Sequence, residues 1–134
     1  MIGSAVRSIL LANSQIVAEV GQQIFPVLAR QEAKLPYLTY RRYTRDPAQS
    51  KEGVGSYTEQ GVEVSVYSDD YDEAEQLGDL VFNTIMSYTG GTLHGIDVVG
   101  GSTTQYIGGE DFWSEELEAF RYIQEFIVDY KISE

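Results

Sequence analysis

His94 is the chain's one histidine, which narrows the reactions the protein could run. A serine triad or a histidine-based metal site would have a single imidazole to draw on. There is no cysteine, so disulfides and thiolate metal sites are excluded. No G-x-S-x-G, P-loop or complete G-x-G-x-x-G occurs, and the paired glycines lack the basic and hydroxyl partners of a phosphate cradle. Two acidic clusters remain. Ser68-Asp69-Asp70-Tyr71-Asp72-Glu73 has the composition of a carboxylate metal site. A calcium loop also needs a glycine and a distal glutamate at fixed spacing, and neither is present. A helix start accounts for the run better: Asp70 caps it, Glu73 completes a capping box, and Asp69 and Asp72 sit near the positive end of the helix dipole. Glu115-Glu116-x-Glu118 could pair two carboxylates for acid–base work, but among 21 acidic residues such neighbours arise by chance. The expectation is no catalytic residue, no cofactor and no metal.

Recognition chemistry is better represented. Tyr37, Tyr40, Tyr43, Tyr57 and Tyr67, five of ten tyrosines, fall on successive expected strands. Tyrosine suits half-buried sheet faces and interfaces alike, and packing within the sheet is the default for most of them. Arg41, Arg42, Tyr43 and Arg45 form the candidate interface to another subunit or partner, because arginine and tyrosine are enriched where binding energy concentrates. Charge is divided along the chain. Residues 1–55 carry seven Lys/Arg against four Asp/Glu, a balance of +3; residues 56–134 carry two against seventeen, a balance of −15, for −12 in all. Such acidity serves solubility. It also lets a basic surface on one subunit meet an acidic surface on the next. Direct DNA binding through a broad basic patch is disfavoured.

The elements that must position these residues follow from periodicity. At 134 residues, with 43% hydrophobic content, the chain is expected to fold as one domain spanning 1–134. Ile2, Ala5, Val6, Ile9 and Leu10 predict a helix over 2–12, and Ile16, Val17 and Val20 extend the apolar signal to a stop at Gly21. Arg7 and Asn13 interrupt the apolar run, so neither a signal peptide nor a membrane span is expected. A short strand runs into Pro26, and Pro36 opens an alternating strand with Leu38, Tyr40 and Arg42 on one face and Tyr37, Thr39, Arg41 and Tyr43 on the other. Thr44–Ser56 is an expected loop. Tyr57–Tyr67 follows as a strand with Val62, Val64 and Val66 facing the core.

Ala74, Leu77, Val81, Ile85 and Tyr88 give the buried stripe of a helix over Tyr71–Tyr88, stopped by Gly90-Gly91. Leu93–Val99 and Ser102–Ile107 are expected as two strands with a bulge or bend at Gly100-Gly101, and Gly108-Gly109-Glu110-Asp111 as a turn. Leu117, Phe120 and Ile127 fit one helix face. Alternation and β-branched and aromatic content favour a strand from about Phe120, with Ser114–Ala119 open to a helical turn. The expected architecture is α+β: a mainly antiparallel, twisted sheet with two principal helices packed on one face.

This order of elements resembles the tail-completion, or tail-terminator, proteins of long-tailed bacteriophages, the proteins of head–tail joining. The resemblance is carried by Ile2–Leu11, by Val20-Gly21 leading to Ile24-Phe25-Pro26, and by Leu35-Pro36-Tyr37-Leu38-Thr39-Tyr40. It continues in Gly61–Tyr67 running into the Tyr71-to-Ile85 helix, and ends in Phe126-Ile127-Val128-Asp129-Tyr130. It implies a structural virion protein, made in the host cytoplasm, that forms a ring, typically sixfold in that family. The ring would cap the head-proximal end of the tail tube, and the implied partners are other copies of itself, the tail tube protein and the head–tail connector proteins. The resemblance carries no active site. A different reading, an acidic DNA-mimic inhibitor of a nucleic-acid-binding protein, draws on the −15 balance after residue 55. The hydrophobic strands and the order of elements weigh against it.

Overall fold

The computed structural model describes residues 1–43 and 57–133, so the expected Thr44–Ser56 loop, with Arg45, lies outside the described residues. The amino-terminal stripe forms α1, Ile2–Leu11, and buries the five apolar residues that define it. Asn13 ends the run and starts another. Its side-chain oxygen accepts from the N–H groups of Gln15 (2.8 Å) and Ile16 (3.2 Å), capping α2, Ser14–Val20. Its amide nitrogen donates to the Thr84 hydroxyl at 2.7 Å, fixing the break against α3, Tyr71–Met86.

The acidic run before α3 is a cap. Asp70 accepts from the Glu73 N–H at 3.2 Å. The reciprocal half differs from a capping box: Ser68 Oγ accepts from the Asp70 N–H (3.0 Å) and donates to the Glu73 carboxylate (2.7 Å). Ala74, Leu77, Val81 and Ile85 are buried as the stripe requires, while Tyr88 lies beyond the helix end and packs half-buried on the core.

The sheet is mostly antiparallel. A short β1, Ile24–Pro26, runs parallel to β2, Tyr37–Tyr43, which pairs antiparallel with β3, Thr58–Ser68. The Leu35–Pro36 peptide that leads into β2 is cis. β3 pairs in turn with the 14-residue β7, Ala119–Ile132. The other side of β7 is shared: its first part takes β6, Gln105–Ser114, and its end takes β5, Ile96–Val98, which pairs with β4, Gly91–Leu93. Val62, Val64 and Val66 face the helices with Leu38, Tyr40, Phe126 and Val128, and all are buried. The α+β reading, with α1 and α3 on one face, holds, and the strand reading from Phe120 holds with it.

Three expectations fail in the last third. The strand expected over Ser102–Ile107 begins only at Gln105, after a 3-10 turn at Gly101–Thr103. Leu93–Val99 is a hairpin, reversed at His94 and Gly95, both at positive φ (49° and 81°). Gly108-Gly109-Glu110-Asp111 is strand: β6 runs through it with an irregularity between Tyr106 and Gly108. The reversal comes at Glu115–Glu118 instead, with Glu118 at φ 49° and the Ser114 hydroxyl accepting from the Leu117 N–H at 3.2 Å, so Ser114–Ala119 contains no helix.

Gly109 serves close approach. A Cβ at Gly109 would lie 2.6 Å from the Tyr106 hydroxyl and 2.7 Å from that of Tyr122. The Tyr122 ring also lies across Gly78 of α3, and Gln124, on the same face, donates to the Gly78 carbonyl at 2.7 Å. Burial raises the pKa of the Tyr122 phenol well above its ordinary value of 10.0, and a hydrogen bond with Tyr106 adds to it. Burial raises Tyr37, Tyr40 and Tyr88 likewise. A raised folded-state value gives stability that is complete below the unfolded pKa and lost as pH rises through the folded one. Urea unfolding should therefore show stability falling above about pH 10, and Tyr122→Phe should remove part of that fall.

Candidate functional site

The last residues of β2 diverge in role. Arg41 points to the face away from the helices, where its guanidinium meets the Glu63 carboxylate at 2.8 Å. Glu63 is only 5% exposed and is gripped from the other side by Arg121 at 3.1 Å. Arg121 in turn donates to Ser65 (3.2 Å) and lies over the Tyr67 ring. The hydrogen bond to Glu63 raises the Arg41 pKa. Arg41 thus neutralises a buried carboxylate across the strand pair. Arg42 is exposed on the opposite face, where the register sets it beside Val62. Tyr43 packs against Gly61 and accepts from Gln60 through its carbonyl at 2.9 Å. The candidate residues are therefore neighbours in sequence but do not converge on one point, and Arg45 is outside the described residues. Glu63→Ala should cost about 1–3 kcal/mol in urea unfolding, because it leaves two arginines facing each other without their acceptor. Arg42→Ala should stay within about 0.5 kcal/mol of wild type.

His94, at the tip of the β4–β5 hairpin, has its Nε2 2.6 Å from the Ser8 hydroxyl of α1. That contact pins the hairpin to the helix. Among the described residues it is the only hydrogen bond of the imidazole, so the ring lacks the orienting partner that a nucleophile–base pair uses. Among the described residues, too, no three His, Cys, Asp or Glu side chains group to hold a metal ion, and no helix is long and apolar enough to cross a membrane.

The two ends of the sheet hold features that the sequence reading missed. At one end, β6 has no strand partner on its outer side among the described residues, and Ile107, Phe112, Trp113 and, at the hairpin turn, Leu117 stand 40–51% exposed. Residues 105–118 include five acidic side chains and no basic one. The adjacent Phe112-Trp113 pair amid that acidity was the available signal. At the other end, the outer side of β1 opens on a groove of about 610 Å³ lined by Phe25, Pro26, Leu28 and Arg30 among others. Arg7 donates to the carbonyls of Ile24 (2.9 Å) and Gln22 (3.0 Å) beneath it.

Both of these sheet ends carry exposed apolar side chains, and solved structures contain a similar fold. A chain in the structure described as the virion of a native gene transfer agent particle superposes with a TM-score of 0.72, covering 93% of this chain and 90% of that one at 16% identity. At that identity the likeness concerns the fold. No curated protein matches the sequence. Residues 4–105 match the family described as tail completion protein gp17. That is more than half of the chain, and the protein belongs to this family. It is a structural protein of a phage-type tail.

Proposed function

We propose that this chain forms a ring at the head-proximal end of the phage tail, where it stops growth of the tail tube and presents a surface to the head–tail connector. Membership of the tail completion family, carried by residues 4–105, is the observation that supports this most. The ring is sixfold, as is typical of the tail terminators that the sequence resembles. Its partners are other copies of the chain, the tail tube protein and the connector proteins, and it is made in the host cytoplasm. The work is complementarity of shape and charge, with no reaction catalysed. Of the candidate interface residues Arg41, Arg42, Tyr43 and Arg45, Arg42, exposed at the end of β2, is the one offered to a neighbouring subunit or tail protein.

Particles assembled without the chain provide the test: heads and tails should accumulate unjoined, with tubes of uncontrolled length. Joined particles with tails of normal length would overturn the reading. Arg42→Glu should leave the thermal transition unchanged while weakening assembly or joining, and raising salt should weaken wild-type association in the same direction. Wild-type assembly by that variant across the salt range would remove Arg42 from the interface.

A further inference from the structure

The two sheet ends complement each other. The β6–β7 hairpin, residues 105–118, is acidic through Glu110, Asp111, Glu115, Glu116 and Glu118, and carries exposed Phe112, Trp113 and Leu117. The β1 end is basic, with Arg30 and Lys34 exposed beside a single acid, Glu32. It too has bare apolar surface, Val27 at 69% and Leu28 at 81% exposed. That exposure is imposed by the backbone. Val27 sits at φ +64°, and the Leu28 N–H bonds back to the Pro26 carbonyl at 2.6 Å while the Val27 N–H bonds to the Tyr40 carbonyl at 2.7 Å. A β-branched residue at positive φ is strained, and the turn holds two apolar side chains out in water.

A long apolar edge strand left open invites pairing with another chain, and native proteins usually blunt or cover such an edge. Here the acids of the hairpin keep like edges apart, since two copies meeting β6 to β6 would bring together five carboxylates from each. The same acids attract the basic β1 end.

We infer that a second copy of this chain is the occupant of the β1 groove: the β6–β7 hairpin of one subunit docks there, its Phe112 and Trp113 meeting Val27 and Leu28 of the next. The contact is heterologous, one end of the sheet on the other, which is the arrangement that closes into a ring when the rotation permits. It rests on the ring reading above and names the surfaces that would build it.

The absence of native cysteine makes the test clean. Leu28→Cys and Trp113→Cys, both at exposed positions, are made singly and together and treated with a short bismaleimide. Within one chain the two sites are four strand spacings apart, roughly 19 Å if the sheet were flat, so links should form between chains. The doubly substituted chain should give a ladder of covalent oligomers ending at the ring size, a mixture of the two single variants should give dimers, and either single variant alone should give none. High salt should suppress all of these products.

Homodimers from one single variant would mean a two-fold contact and overturn the inference. A discrete ring by native mass spectrometry without the ladder would also overturn it, while leaving the ring reading intact. The lack of any assembled species, at every concentration and with tail tubes added, would overturn both.

Discussion

Val64→Asp should leave a chain with no cooperative thermal transition. Val64 is fully buried on β3, between Tyr40 of β2 and Gln124 of β7 and under the helices. The substitution puts a carboxylate into the buried hydrophobic core, at a cost of several kcal/mol even if the group takes up a proton. A domain of this size has only about 5–15 kcal/mol of stability to lose. Val81→Asp, on the buried stripe of α3, should behave in the same way. Circular dichroism on heating reads both, and a wild-type transition in either variant would mean that the face it was taken from is not core.

Gly78→Val should be the next largest effect, although it adds apolar volume. Any side chain at residue 78 collides with the Tyr122 ring, and Gln124 holds that part of α3 close to the sheet through the Gly78 carbonyl. The gain in helix propensity over glycine is below 1 kcal/mol, against overpacking of typically 1–3 kcal/mol and more when backbone must move. A net loss of about 3 kcal/mol, or roughly 12 °C in Tm, is expected. Combining it with Tyr122→Ala should recover part of the loss relative to the two changes made separately. Simple additivity would show that α3 shifts away from the sheet instead of clashing with it.

How much was legible in the sequence depended on whether local pattern or distant contact decided each element. The Val62, Val64, Val66 alternation and the α1 stripe declared their buried faces because one period governs many residues. Pro36 marked the start of β2 because the ring restricts the chain on both sides. Glycine misled, since it serves turns and close approach equally: Gly95 reverses a hairpin, whereas Gly109 lies within a strand beneath two tyrosine hydroxyls. Placing the turn at Gly108–Asp111 hid the long β6 strand and, with it, the exposed Phe112 and Trp113. Arg41 looked like a free interface cation because its partner, Glu63, lies 22 residues away on the neighbouring strand. The alternation did separate Arg41 from Arg42 correctly.

Assembly is the activity at issue, and the mass of the purified chain in solution tests it most directly. Native mass spectrometry at low and moderate salt, with electron microscopy of the same samples, should find one discrete closed ring that dissociates towards monomer as salt rises. A chain that stays monomeric at every concentration and salt, and does not assemble when tail tubes are supplied, would contradict a ring-forming tail completion protein.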